Sequence, residues 1–358
     1  MSFEIIKRDT NFDFFGARKY AYAVSAVLLL ICIASLLIKG GPQYGIDFSG
    51  GINVQVKFSE VTPLDKIRTA LDAPSLAGVI VQDFGDAAKS EVLLRIPYKD
   101  QPSAEIRDAV NQGLSQNFTD QTYEIQRLEI VGPKVGADLR EKALQAIFYA
   151  VLLMATYISG RFEQKWMVAG LMAAGLASVV YVLELFNASM SLSVVVATIA
   201  TLVLCVVLRL KYALGAIVGL LHDVMFPLGL FSLLNKDVDL TIIAALLTIV
   251  GYSLNDSIII FDRIRENLKG KTSVDFEKVI NTSINQTLTR TVITSGTTIL
   301  AVLALYLFGG SVIHDFALVM LVGIIAGTYS SIFVATPVLA LFKPKIEGDQ
   351  KAAAAAVA

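Results

Sequence analysis

Two cysteines and two histidines in 358 residues are too few for a metal centre or a disulfide framework. Cys32 and Cys205 both fall inside apolar runs, where thiols face lipid or neighbouring helices. Charge is scarce as well: 17% of residues are charged, and they cancel to a net −1. That balance offers nothing to a polyanion, and no basic-aromatic pattern points to nucleic acid. There is no phosphate-cradling loop and no nucleophile beside a base. An enzyme of covalent chemistry is therefore not expected, and no cofactor or metal is implied.

What is present is apolar. Hydrophobic residues make up 55% of the chain and the mean hydropathy is +0.64, values of a polytopic membrane protein. Eight apolar runs read as membrane spans: 20–38, 143–158, 166–186, 190–208, 212–234, 240–261, 291–308 and 316–342. The first follows Lys7, Arg8, Arg18 and Lys19 and is followed by no small-residue cleavage site, so it reads as an uncleaved helix.

Between the first two spans, Gly40, Gly41 and Pro42 open a long polar segment. Ile52, Val54, Val56 and Phe58 alternate with Asn53, Gln55 and Lys57, the pattern of a half-buried strand. Residues 63–71 and 102–114 read as helices, and 79–84, 92–96 and 123–131 as strands. The order β-α-β-β-α-β predicts a ferredoxin-like α+β domain. It holds no catalytic constellation and reads as a docking or scaffold module. The expected organisation is an N-terminal cytoplasmic segment 1–19, a first span 20–39, a periplasmic domain 40–137, a helical bundle 138–342 and a tail 343–358 without fixed structure.

The short loops give the sidedness. Arg161, Lys165, Arg209, Lys211, the basic segment 262–290, Lys343 and Lys345 all fall on one side, whereas the opposite short loops carry little beyond Lys236. By the positive-inside rule both termini are expected in the cytoplasm and the polar domain outside.

Ionisable residues inside spans are costly and carry the functional expectation. Asp256 lies six residues before the first charge of the following loop, roughly 9 Å inside the boundary. Thr248, Tyr252 and Ser253 share its helical face, with Asn255 beside it. Arg290 opens the next helix at similar depth, so the two could pair if their helices pack. His222 and Asp223 fall near mid-bilayer, Asp223 four residues before Pro227, which removes a hydrogen bond to the Asp223 carbonyl. They read equally as a proton path or as a structural tie between helices.

With these residues assembled, the chain resembles the SecF family of protein-export membrane proteins, in the resistance-nodulation-division superfamily. The carriers are Tyr44-Gly45-Ile46-Asp47-Phe48-Ser49-Gly50-Gly51, Val131-Gly132-Pro133, Leu221-His222-Asp223-Val224 and Gly251-Tyr252-Ser253-Leu254-Asn255-Asp256. Asp262-Arg263-Ile264-Arg265-Glu266-Asn267 and Gln286-Thr287-Leu288-Thr289-Arg290-Thr291 continue the series. The resemblance implies an accessory subunit of the Sec translocase that works with SecD and the proton-motive force on translocating polypeptides. SecYEG, YajC and YidC are the further partners it implies, besides membrane lipid, in a cytoplasmic (inner) membrane. It assigns the proton relay to Asp256 and Arg290, and a structural role to Gly45, Asp47, Gly50, Gly51, Asp262 and Arg263. The family usually has six spans. The two extra ones, within about 164–210, read as an inserted hairpin after Arg161-Phe162-Glu163. A small-molecule transporter half and a non-conducting scaffold are the alternative readings.

Overall fold

The computed structural model describes residues 11–72, 74–84, 90–98, 102–269 and 275–342. The expected tail at 343–358, the first ten residues and part of the 262–287 loop lie outside the described residues. Among those described, eight helices are long and apolar enough to cross a membrane. They are α1 (Phe14–Ile38), α5 (Pro133–Glu163), α6 (Trp166–Leu185), α7 (Met190–Val207), α8 (Lys211–Leu233), α9 (Leu240–Leu268), α10 (Phe276–Phe308) and α11 (Ser311–Ser330). The chain is a multi-pass membrane protein. The last span does not stay α-helical. It passes through a π-helical turn, Ser331–Ala335, into α12 (Thr336–Val338), where Pro337 interrupts the regular ladder. Pro227, by contrast, is carried inside α8 without ending it.

The soluble segment holds α2 (Ile46–Ser49), β1 (Gly51–Phe58), α3 (Leu64–Ala70), β2 (Ile80–Asp83), β3 (Glu91–Ile96), α4 (Ser103–Asn117) and β4 (Tyr123–Val131). The strands form one sheet in the order β2-β3-β1-β4, every neighbour antiparallel. Alternation in β1 sends Ile52, Val54, Val56 and Phe58 to one face, where they pack with Ile67, Leu71, Ile106, Val110 and Leu114 of the helical layer. The opposite face carries Asn53, Gln55, Leu93 and Arg95 and looks toward the helical bundle.

The short helix α2 was not foreseen in the sequence. It turns the chain from the first span into the sheet, and it needs glycine to do so. Gly50 and Gly51 have φ of 71° and 141°, and a Cβ on Gly50 would stand 2.8 Å from Pro133 Cα. The chain thus leaves and re-enters the membrane at one crowded corner.

The α6–α7 hairpin packs on α5, and α7 also meets α8. Its two ends are pinched together. Lys165 Nζ donates to the Leu208 carbonyl at 3.0 Å, and Glu163 Oε1 accepts from the Tyr212 amide at 3.0 Å. Phe162, Tyr212 and Phe261 close an aromatic cluster beneath, with centroids 5.3–5.8 Å apart. The residues on either side of the hairpin are therefore neighbours in space. Most of its large side chains, among them Met167, Leu171, Leu185 and Val207, remain exposed, as on a surface that lipid covers.

Candidate functional site

Asp256 sits on α9 and is only 3% exposed. Its position follows from the apolar pattern of α9: Ile249, Val250, Leu254, Ile260 and Phe261 bury one side, and Asp256 falls on that side. Oδ2 accepts a hydrogen bond from Ser295 Oγ of α10 at 3.2 Å, and Ser295 in turn accepts from Thr328 Oγ1 of α11 at 2.8 Å. A carboxylate amid three helices is thus held by a short chain of hydroxyls.

Arg290 is placed differently from the expected pairing. The helices α9 and α10 do pack, yet no ion pair joins Asp256 to Arg290 among the described residues. The guanidinium is on the exposed side of α10, and Asp256 bonds Ser295 instead. The cause is helical phase. Thr291 and Ser295 turn inward, which leaves Arg290 on the outer flank.

The polar stripe around Asp256 also divides. Tyr252 turns to α10, its hydroxyl donating to the Thr294 carbonyl at 3.1 Å with Thr298 Oγ1 at 3.0 Å. Ser253 turns the other way and donates to Asp223 Oδ2. Thr248 and Asn255 are exposed. Thr241, Ala244 and Gly251 are exposed with them, so one flank of α9 is small and polar where lipid would favour bulk.

His222 and Asp223 form a second buried group, described further below. Of the remaining sequence-marked residues, Asp47 Oδ2 accepts from the Leu240 amide at 3.0 Å and so helps cap α9. Gly45 donates to the Val238 carbonyl at 2.8 Å, with the Val238 amide donating to the Gln43 carbonyl at 2.7 Å. Asp262 pairs with Arg161 at 2.8 Å, tying the far end of α9 to α5, and Arg263 pairs with Glu266 at 3.0 Å.

At the other end, the polar sheet face closes over the α8–α9 connection. Arg95 forms an ion pair with Asp237, which also accepts from Gln82 Nε2 at 3.2 Å. Ser311 at the start of α11 bonds Glu91, which accepts from Gln55 Nε2 at 3.1 Å. Lys236 pairs with Asp315 at 2.6 Å. These contacts wall a cavity of about 570 Å³ lined by the carboxylates Asp47, Asp83, Glu129, Asp237, Asp239 and Asp315 and by the cations Arg95, Arg127 and Lys236. Sequence reasoning found Asp47 but not the partners of Asp237, nor Thr328 and Ser330, which carry no signal beyond a hydroxyl in an apolar run.

Asp239 is the N-cap of α9, accepting from the Ile242 amide at 2.8 Å. Burial, helped by the charges of Asp47 and Asp315, pushes its carboxyl above the usual range, against the pull of two backbone amides. The folded state therefore binds this proton more readily than the unfolded chain. Ionisation above the folded value is a stability penalty, and it fades as pH falls through that value. Asparagine keeps the capping oxygen without the charge. Asp239→Asn is expected to match or exceed the parent in thermal unfolding near neutral pH, the gap closing under acid. Asp239→Ala should lose about 1 kcal/mol with the cap. An Asn variant less stable than the parent at neutral pH would contradict the burial account.

Comparison with known proteins adds the following. The family model for the C-terminal part of the protein export membrane protein SecD/SecF matches residues 110–203 and 181–345, and that for the SecD/SecF GG motif matches 35–60. The protein translocase subunit SecF of Desulfurispirillum indicum is 39% identical over 338 residues, covering 93% of this chain and 92% of that protein. The subunit of the same name from Vibrio alginolyticus is 38% identical over 334 residues, covering 93% and 90%. The crystal structure of SecDF from Thermus, described as a translocon-associated membrane protein, superposes with a TM-score of 0.69 at 30% identity. It covers 95% of this chain, which spans 40% of the SecDF chain.

Proposed function

Because the chain belongs to the SecD/SecF protein-export family, we propose that its buried Asp256 takes up and releases protons to drive polypeptide export. As a SecF subunit of the Sec translocation accessory complex it works with SecD.

One observation carries it: a carboxylate 3% exposed inside a span has only a hydroxyl partner among the described residues, and Arg290 on the facing helix makes no ion pair with it there. Burial without a cation favours the protonated acid, and an approaching guanidinium favours the carboxylate. Opening the Asp256–Arg290 gap would therefore bind a proton, and closing it would release one. Arg290 and the small polar flank of α9 face outward, which suits a partner helix bearing an acidic residue, and SecD is the subunit to supply it. Asp47, Gly45, Gly50 and Gly51 would hold α9 to the soluble domain, and Asp262 with Arg161 its other end.

The soluble β-α-β-β-α-β unit is read as a ferredoxin-like periplasmic domain, both termini being cytoplasmic in an inner membrane. Supporting this, Arg161, Lys165, Arg209 and Lys211 gather at the bundle end away from the sheet. The pair α6–α7 is read as an inserted hairpin. Its pinched base supports that, and so does the way the two matches to one family model overlap within it, at 181–203. SecYEG, with YajC and YidC, would be the further partners. The test is complementation. In cells depleted of their own SecF, this chain should restore export of a secreted reporter when co-expressed with its SecD, and the gain should vanish with a protonophore. Restoration that survives collapse of the proton gradient would remove proton coupling from the proposal.

A further inference from the structure

Asp223 has no exposed surface at all, yet it lies midway along α8 in a membrane span. Three groups from three helices converge on it. His222 Nδ1 stands 2.9 Å from Oδ1, Ser330 Oγ of α11 donates to Oδ2 at 2.7 Å, and Ser253 Oγ of α9 donates to the same oxygen. The His222 ring is stacked between Phe226 and Tyr329, with centroids 5.9 and 6.0 Å away. The hydroxyl of Tyr329 is occupied elsewhere, donating to the Ala21 carbonyl at 2.7 Å.

The charges around this group are few. From α1, Ser25 reaches it through Tyr329, and the Cys32 thiol lies against the Phe226 carbonyl at 4.0 Å. On the elements packed against α8, the ionised side chains described lie at its ends: Glu163 by the Tyr212 amide and Lys39 by the Ser232 carbonyl. The exception is Asp256, one turn beyond Ser253 on α9. Residues three apart on a helix face are about 5–6 Å from one another at Cβ, so one water or one rotating hydroxyl spans the interval.

A backbone close approach holds the two groups in this relation. Gly327 of α11 lies where a Cβ would stand 2.9 Å from Ser253 Cβ and 3.4 Å from Asp223 Oδ2. The next residue on α11, Thr328, donates to Ser295, the partner of Asp256. Helix α11 thus serves both buried carboxylates, Asp223 directly through Ser330 and Asp256 through Thr328 and Ser295.

From this geometry we infer that the His222–Asp223 pair is a second proton-binding site of this chain, exchanging its proton with Asp256 past Ser253. The exchange rests on the proton-carrier reading of Asp256. Charge sets its logic. With neutral imidazole and ionised Asp223 the pair carries −1 where, among the described residues, no Lys or Arg pairs with it, and one added proton makes it neutral. In the transfer, Asp256 passes from carboxylic acid to carboxylate and the pair from −1 to 0. One proton moves and nothing else changes. Ser330 and Ser253 are positioning residues that hold Oδ2 in place.

The test is infrared difference spectroscopy of the full chain with its SecD in lipid nanodiscs, titrated over a pH series. The readout includes both the carboxylic-acid carbonyl stretch and the imidazolium ring modes, so either placement of the proton registers. Asp223→Asn should remove one protonation band. Ser330→Ala, which keeps the carboxyl, should shift that band without removing it, and this second variant decides the matter if Asp223→Asn does not assemble. A Ser330→Ala spectrum identical to the parent, or an Asp223→Asn spectrum that loses nothing, would make Asp223 a fixed helix tie and overturn the inference. Asp256→Asn, run in parallel, should remove a different band. If it removes none, the Asp256 reading falls, and the exchange with it, while proton binding at Asp223 stands or falls by its own band.

Discussion

Replacing Asp256 with asparagine is expected to abolish the proton-driven part of export while leaving the complex assembled. Asparagine has nearly the same shape and keeps an oxygen to accept from Ser295, so the contact among α9, α10 and α11 survives. What disappears is the proton. One elementary charge moved across the membrane is worth about 2.3 kcal/mol per 100 mV. On a two-state equilibrium that is roughly a fifty-fold bias, and all of it is lost with the carboxyl. Export of a reporter in cells carrying the variant and its SecD should fall to the level seen with a protonophore. Arg290→Lys should also fail, since an ammonium keeps the charge but not the planar fork that meets a carboxylate. A scaffold subunit would tolerate both changes. Parent-like, gradient-dependent export in Asp256→Asn would end the relay assignment.

The second large effect is expected where the soluble domain meets the bundle. Arg95 and Asp237 are 19% and 18% exposed, and each would be left partly buried without its partner. Removing one member of a buried pair costs about 3–5 kcal/mol, and a pair this close to water should lose roughly 2. Asp237→Ala is thus expected to lower the thermal midpoint and to speed hydrogen exchange at the Gly45 and Val238 amides, which bridge the two parts of the molecule. Asp65→Ala, removing an exposed pair with Arg68, should do neither. If exchange at Gly45 and Val238 stayed at the parent rate in Asp237→Ala, the backbone bonds alone would carry the joint.

Much of this architecture was legible from local chemistry. The apolar runs located all eight spans because a bilayer demands a continuous apolar length, and the alternation in Ile52–Phe58 gave β1 because one sheet face is buried. Boundaries were read less well. Helix α10 begins at Phe276, well before the apolar run at 291, because Val279, Ile280, Ser283, Ile284 and Thr287 pack inward while the rest of that stretch stays polar. Hydropathy alone does not see an amphipathic extension. The site was half visible. Asp256 stood out by cost, but its partner did not, because the choice between Arg290 and Ser295 depends on helix rotation. Asp237 and Arg95 were not paired in advance, since 142 positions separate them and each is ordinary in its own loop or strand. Ser330 was silent for a related reason: a serine in a span usually bonds its own backbone, as Ser330 also can to Gly327, and only packing shows when a carboxylate lies closer.

Helix α9 has one property that its individual contacts leave implicit. Its 29 residues, at about 1.5 Å each, make a rod about 44 Å long. Asp47 grips one end, Arg161 holds the other through Asp262, and Asp256 lies a little past the middle. On the proton-carrier reading proposed above, such a rod would act as a lever with its fulcrum near Asp256. A tilt of about 5° there carries either end by about 2 Å, by the same helical dimensions. That is enough to break or remake the hydrogen bonds at Gly45, Val238 and Leu240. A small event at one carboxylate would then be delivered, enlarged in displacement, to the charged cavity under the sheet.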